Sequence, residues 1–153
     1  MFKQIFFLFL ISILWTSKTN AQFEIKAQPI AFLFEAFPIS LEYGFREDWG
    51  VEADFIATID YMQLAPGVKY YFKNTARGFD RWYCSAFAVG ASFDGDNEIG
   101  IGFGGGYKYV SHKNIIFEIG LGIARGFIQD ESFIPTGKLH LGYRFKAKEK
   151  AVQ

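Results

Sequence analysis

The segment "KLHLGYRF", residues 138 to 145, places Leu139, Leu141, Tyr143 and Phe145 at every second position, with Lys138, His140, Gly142 and Arg144 between them. A helix turns about 100° per residue and would scatter these side chains around its circumference, whereas a strand sends alternate residues to opposite faces. The segment is therefore a strand with one apolar and one polar face. "IIFEIGLGI" repeats the pattern, setting Ile115, Phe117, Ile119, Leu121 and Ile123 against Glu118, Gly120 and Gly122. "FPISLEYGF" does so again, with Phe37, Ile39, Leu41, Tyr43 and Phe45 opposing Pro38, Ser40, Glu42 and Gly44. Less regular runs of the same kind cover 23–34, 49–58, 63–72, 82–93 and 98–110, which brings the count to eight strands. Turn-forming clusters lie between them: "RED", "KNTARGFD", "DGDN", "SHKN" and "IQDESFIP". The first run changes phase near Pro29, as a bulge would make it do. No helix is expected after residue 21.

The stretch "GIGFGGG" fits G-x-G-x-x-G through Gly100, Gly102 and Gly105. A dinucleotide loop needs a helix to open inside that motif, so that its N-terminus can meet the pyrophosphate. Here the alternation runs straight through: Gly100, Gly102, Gly104, Gly106 and Lys108 share one face, opposite Ile99, Ile101, Phe103, Tyr107 and Tyr109. The glycines belong to a strand, and their repetition on one face points to close packing inside a narrow barrel. No cofactor is expected.

At the N-terminus, Lys3 precedes an unbroken apolar run from Ile5 to Trp15, and small residues follow at Thr19 and Ala21. The run is shorter than the roughly 20 residues of a spanning helix and has the form of a secretory signal peptide, residues 1–21, cleaved after Ala21. Residues 22–145 then make one domain, and the charged "KAKEKAVQ", residues 146–153, forms a tail. Cys84 is the single cysteine, so an intramolecular disulfide is excluded. Sixteen basic residues balance sixteen acidic ones, which gives no basic surface for nucleic acid.

Alternation alone does not say which face is inside, because a soluble lipocalin-like barrel that binds an apolar ligand alternates too. The contents of the faces decide. One is almost wholly large and apolar; the other mixes Gly and Ala with Glu42, Glu52, Asp54, Lys69, Lys108, Glu118, Lys138, His140 and Arg144. Against lipid, each charge costs roughly 2–4 kcal/mol at the midplane and less near the rims, so even half of that sum for eight charges is on the order of 8–16 kcal/mol. That equals the typical folding stability of about 5–15 kcal/mol. In a barrel that spans a membrane these groups must therefore face inward. Eight strands leave no open pore, so four carboxylates and four cations would satisfy one another in the lumen. On this phasing Cys84 joins Ala86 and Ala88 inside, Ile56, Tyr71, Trp82 and Ile116 also fall inward, and Arg125 falls on the lipid side near a strand end.

Signal peptide, eight alternating strands and a last strand carrying Leu139, Leu141, Tyr143 and Phe145 together resemble the small outer-membrane β-barrels of Gram-negative bacteria, of the type of the transmembrane domain of outer membrane protein A. The resemblance spans residues 22–145. It implies residence in the outer membrane among its lipid and lipopolysaccharide, both termini on the periplasmic side, and "KNTARGFD" as a periplasmic turn. It also implies that Leu139, Leu141, Tyr143 and Phe145 are read by the outer-membrane assembly machinery, although in the family the aromatic residue is commonly the chain's last and here eight residues follow it. A structural or surface-interaction role without enzymatic activity is the leading expectation.

Some barrels of this size edit lipid A with a Ser, a His and an acidic residue. That alternative needs His140, beside Glu118, to meet Ser92 or Ser132 towards the outer rim. His112 sits in a turn on the opposite side. No His/Cys spacing suggests a metal. Asp94, Asp96, Asn97 and Glu98 would at most hold a divalent cation weakly in a loop.

Overall fold

The computed structural model describes residues 22–72, 75–76, 78–93, 96–128 and 133–146. Eight strands close into an antiparallel up-and-down barrel in chain order: β1 Gln22–Ala27, β2 Phe37–Gly44, β3 Trp49–Ala57, β4 Tyr61–Tyr71, β5 Arg81–Phe93, β6 Asp96–Val110, β7 Ile115–Gly126 and β8 Phe133–Lys146. β8 pairs with β1, from Gln22 opposite Lys146 to Ala27 opposite Leu141, so the barrel has no free edge at its terminal end. Residues 1–21, Asp94, Ser132 and the tail beyond Lys146 lie outside the described residues.

The faces divide as the alternation requires. Phe23, Ile25, Leu41, Val51, Leu64, Ile101, Phe103, Ile119, Leu121, Ile123, Leu141 and Phe145 are all exposed on the outside. Glu42, Glu52, Asp54, Lys69, Lys108, Glu118, His140 and Arg144 are buried inside, together with Glu24 and Lys26. Tyr71 and Ile116 are inward and buried as well. The orientation is the reverse of a soluble ligand-binding barrel, whose apolar face points in.

Four expectations need correction. The first run is not one strand with a bulge: β1 stops at Ala27 and "PIAFLF", Pro29–Phe34, forms a 3-10 helix. Proline suits the first helical turn, and Glu35 ends the helix in a left-handed conformation, its N–H donating back to Phe32 O. In β5 the phase is opposite to that expected, so Trp82 and Cys84 are exposed on the outside and Tyr83, Ser85, Phe87 and Val89 point in. Ala86 and Ala88, expected inside with Cys84, lie on the outward phase as well, and residues this small distinguish the two faces poorly. β8 begins at Phe133 rather than after Pro135, and β4 already at Tyr61. Finally, "KNTARGFD" is more than a surface turn, because Phe79 folds back into the barrel mouth.

The inward glycines have a definite purpose. A Cβ on Gly106 or Gly120 would come within 2.6 or 2.5 Å of the Tyr83 hydroxyl, and one on Gly102 within 2.7 Å of the Phe87 ring. The glycine face of β6 and β7 is thus the space that two large β5 side chains occupy. In the half of the lumen away from the termini, Phe87 packs with Ala65, Val89, Ala124 and Ile134 as a small apolar core.

Candidate functional site

The lumen is a network of five carboxylates and five cations. Register creates the problem it solves: Glu24, Glu42 and Glu52 are direct cross-strand neighbours on β1, β2 and β3, an arrangement of like charges that is unfavourable alone. Cations reach this row from around the wall. Lys26 Nζ lies 2.7 Å from Glu42, 2.5 Å from Glu52 and 2.7 Å from Glu118. Lys69 Nζ meets the same three carboxylates at 3.1, 2.6 and 2.6 Å. Lys108 bridges Glu24 at 2.9 Å and Glu42 at 2.8 Å. Arg144 holds Glu24 at 2.6 Å, while Lys138 pairs with Glu52 and, at 2.5 Å, with Asp54.

Aromatic residues complete it. The Tyr83 hydroxyl donates to Glu118 at 2.7 Å and that of Tyr71 to Glu42. Lys69 lies 4.5 Å from the ring centre of Tyr83, and Lys108 4.5 Å from that of Tyr71, cation–π distances. Towards the termini, Phe79 closes the mouth. Its ring fills the place where a Cβ on Gly44 would stand, and Arg144 donates to Gly78 O at 2.9 Å and Phe79 O at 3.0 Å. Asp80 anchors the same connection by accepting from Thr75 N at 2.7 Å.

All nine expected inward groups are in or beside this cluster. Sequence reasoning missed Glu24 and Lys26, whose signal was present: they alternate with Phe23 and Ile25 over the six residues of β1. It also missed Phe79, since nothing local marks a turn residue that inserts into a lumen.

This architecture has a known counterpart. The chain matches the crystal structure of the N-terminal β-barrel domain of Pseudomonas aeruginosa OprF, with a TM-score of 0.59, 17% identity, and coverage of 82% of this chain and 97% of that one. The fold shared with that domain is the closed antiparallel β-barrel. No protein-family model matches the sequence, and no curated protein matches it.

Among the described residues the barrel does not bring the expected lipid-editing groups together; Ser132 lies outside them. His140 is buried in the lumen opposite Glu118, whereas Ser92 pairs with Met62 on the outward phase of the wall. A nucleophile and base need hydrogen-bond reach, and a sheet separates these two. Glu98 Oε1 accepts from Phe127 N at 2.8 Å and Ile128 N at 2.9 Å, which fastens the start of the β7–β8 connection. Donor atoms of Glu52, Glu118 and His140 lie within 4.8 Å of one another, the spacing of a metal site. Both carboxylates already face lysines, and the network is balanced without an ion.

Proposed function

We propose that the protein is an integral outer-membrane barrel with a structural or surface-interaction role, its lumen closed rather than conducting and carrying no catalysis. One observation bears most of this reading: the outward phase of all eight strands holds a single charged residue, Arg125, among the described residues, while ten charges are turned inward. An apolar surface encircling the molecule far exceeds the few hundred Å² that soluble monomers expose, and lipid is the solvent that suits it. Outer-membrane lipid and lipopolysaccharide are then its surroundings. Leu139, Leu141, Tyr143 and Phe145, all outward on β8, are the features the assembly machinery would read.

The test is gel mobility of boiled and unboiled protein from a purified outer-membrane fraction. A band that resists carbonate extraction and shifts on heating is the expected result. Ordinary mobility in a soluble fraction would refute membrane residence. In planar bilayers the protein should give no stepwise conductance, because Phe79 and the ion-paired rows block the axis.

A further inference from the structure

The wall of the barrel is not a ladder all the way round. β1 ends at Ala27 opposite Leu141, whereas β8 continues to Phe133, so Phe133–His140 has no strand partner on its β1 side. β2 leaves the same gap from the other flank, since its last partner on β1 is Lys26, opposite Ser40. The 3-10 helix fills this place, touching both β2 and β8. It turns Phe32, Leu33 and Phe34 outward, Leu33 at 80% exposure.

Two hollows meet here. The inner one, about 40 Å³, is lined by Asp54, Gln63, Phe87, Thr136 and His140. Two of its buried polar atoms, Asp54 Oδ1 and His140 Nδ1, have no hydrogen-bond partner. Their residues are only 8% and 4% exposed. The outer hollow is an apolar groove on the lipid-facing side, lined by Trp82, Tyr107, Ile119, Leu121 and Leu139. Gln28, Gly137 and Lys138 line both. A Cβ on Gly137 would meet nothing within 4 Å, because this position faces outward into the groove.

We infer that this junction is a lateral portal that binds a single-chain amphiphile with a small hydroxyl head, the head between Asp54 and His140 and the chain along Ile119, Leu121 and Leu139. A hydroxyl both accepts and donates, so it takes a hydrogen bond from His140 Nδ1–H and gives one to Asp54 Oδ1, satisfying both atoms at once. A carboxylate head would meet Asp54 and Glu52 with like charge. The inner hollow, about 40 Å³, admits a group the size of about three or four waters, at roughly 10–15 Å³ each, which excludes a phosphodiester head. The inference rests on the outer-membrane reading, since the groove must face lipid.

The experiment uses the full protein in lipid nanodiscs, with Trp15→Phe and Trp49→Phe so that Trp82 alone reports from the groove. The probes are 12-bromododecan-1-ol and 1-bromododecane, whose bromine quenches indole fluorescence. Saturable quenching by the alcohol is expected, with apparent affinity about three- to tenfold above the bromoalkane, as one or two hydrogen bonds provide. Gly137→Leu, which enters open space, should abolish the saturable part while the barrel keeps its heat-dependent mobility. His140→Leu should remove the preference for the alcohol. Quenching that rises without saturation, is equal for both probes, or survives Gly137→Leu overturns the portal while leaving the membrane reading intact. Extraction of the protein by carbonate would overturn both, and is read separately.

Discussion

At the scale of single residues, the lumen obeys the asymmetry of buried charge: a complete set is nearly neutral in stability, and an incomplete one is costly. Glu118 accepts from Lys26, Lys69 and Tyr83 at 2.7, 2.6 and 2.7 Å. Glu118→Gln leaves a lysine charge without its counter-ion in a closed space and should destabilise the folded barrel by about 3–5 kcal/mol. Denaturant titration in detergent micelles measures this, and adding Lys69→Met should recover most of the loss. The glycine face offers a second, steric test. A methyl at Gly120 would sit 2.5 Å from the Tyr83 hydroxyl and 3.5 Å from the ring carbon that bears it. Gly120→Ala should therefore cost about 1–3 kcal/mol in the native background and clearly less with Tyr83→Phe. Equal costs in both backgrounds would mean that the hydroxyl is not what the glycine accommodates.

Among the elements, legibility followed contrast between faces. β2, β7 and β8 could be read directly, because large apolar residues alternate with charges or glycine along them. β5 could not: Tyr83, Phe87 and Val89 face inward while Trp82, Ala86 and Ala88 face outward, so both phases are apolar and only the glycines of the neighbouring β6 decide between them. The first run failed for another reason. "PIAFLF" has the composition of a buried strand, but it sits where pairing has already ended and packs as a short helix across the gap. Eight of the ten lumen charges were legible, since a barrel that spans a membrane cannot turn them to its other face. Their individual pairings were not, because Lys26 reaches Glu118 across 92 residues of sequence. The β4–β5 connection is the element least visible in the sequence and the easiest to test. Phe79 is 3% exposed and the Arg144 guanidinium lies 5.8 Å from its ring centre. Phe79→Ala should cost about 3–5 kcal/mol if the ring is core. Hydrogen exchange should then accelerate in Phe79–Tyr83 while the far end of the barrel stays protected. Unchanged exchange there would show that the ring does not plug the mouth.

For the whole molecule, the length of the strands and the position of one charge mark out the same apolar band. From Ile115 to Arg125, β7 makes ten steps, roughly 33 Å along the strand at about 3.3 Å each, and a tilt near 40° reduces this to about 25 Å, the height of the apolar band of such barrels. Every outward residue of β7 before Arg125 is apolar. Arg125 therefore marks the far edge of the apolar band, beside Ile101 and Phe133, and in the proposed outer membrane its long stem would let the guanidinium reach the headgroups. Leu121 lies near the middle of the band, flanked across the ladder by Gly105 and Gly137. The two positions share a strand and a face, and differ in depth. Leu121→Arg should consequently destabilise the barrel in bilayers by about 2–4 kcal/mol, whereas Arg125→Leu should change it by at most about 1 kcal/mol. Reversible unfolding from lipid vesicles measures both. Similar penalties at the two positions would mean that the bilayer does not follow the band, and that the exposed apolar surface is covered by something other than lipid.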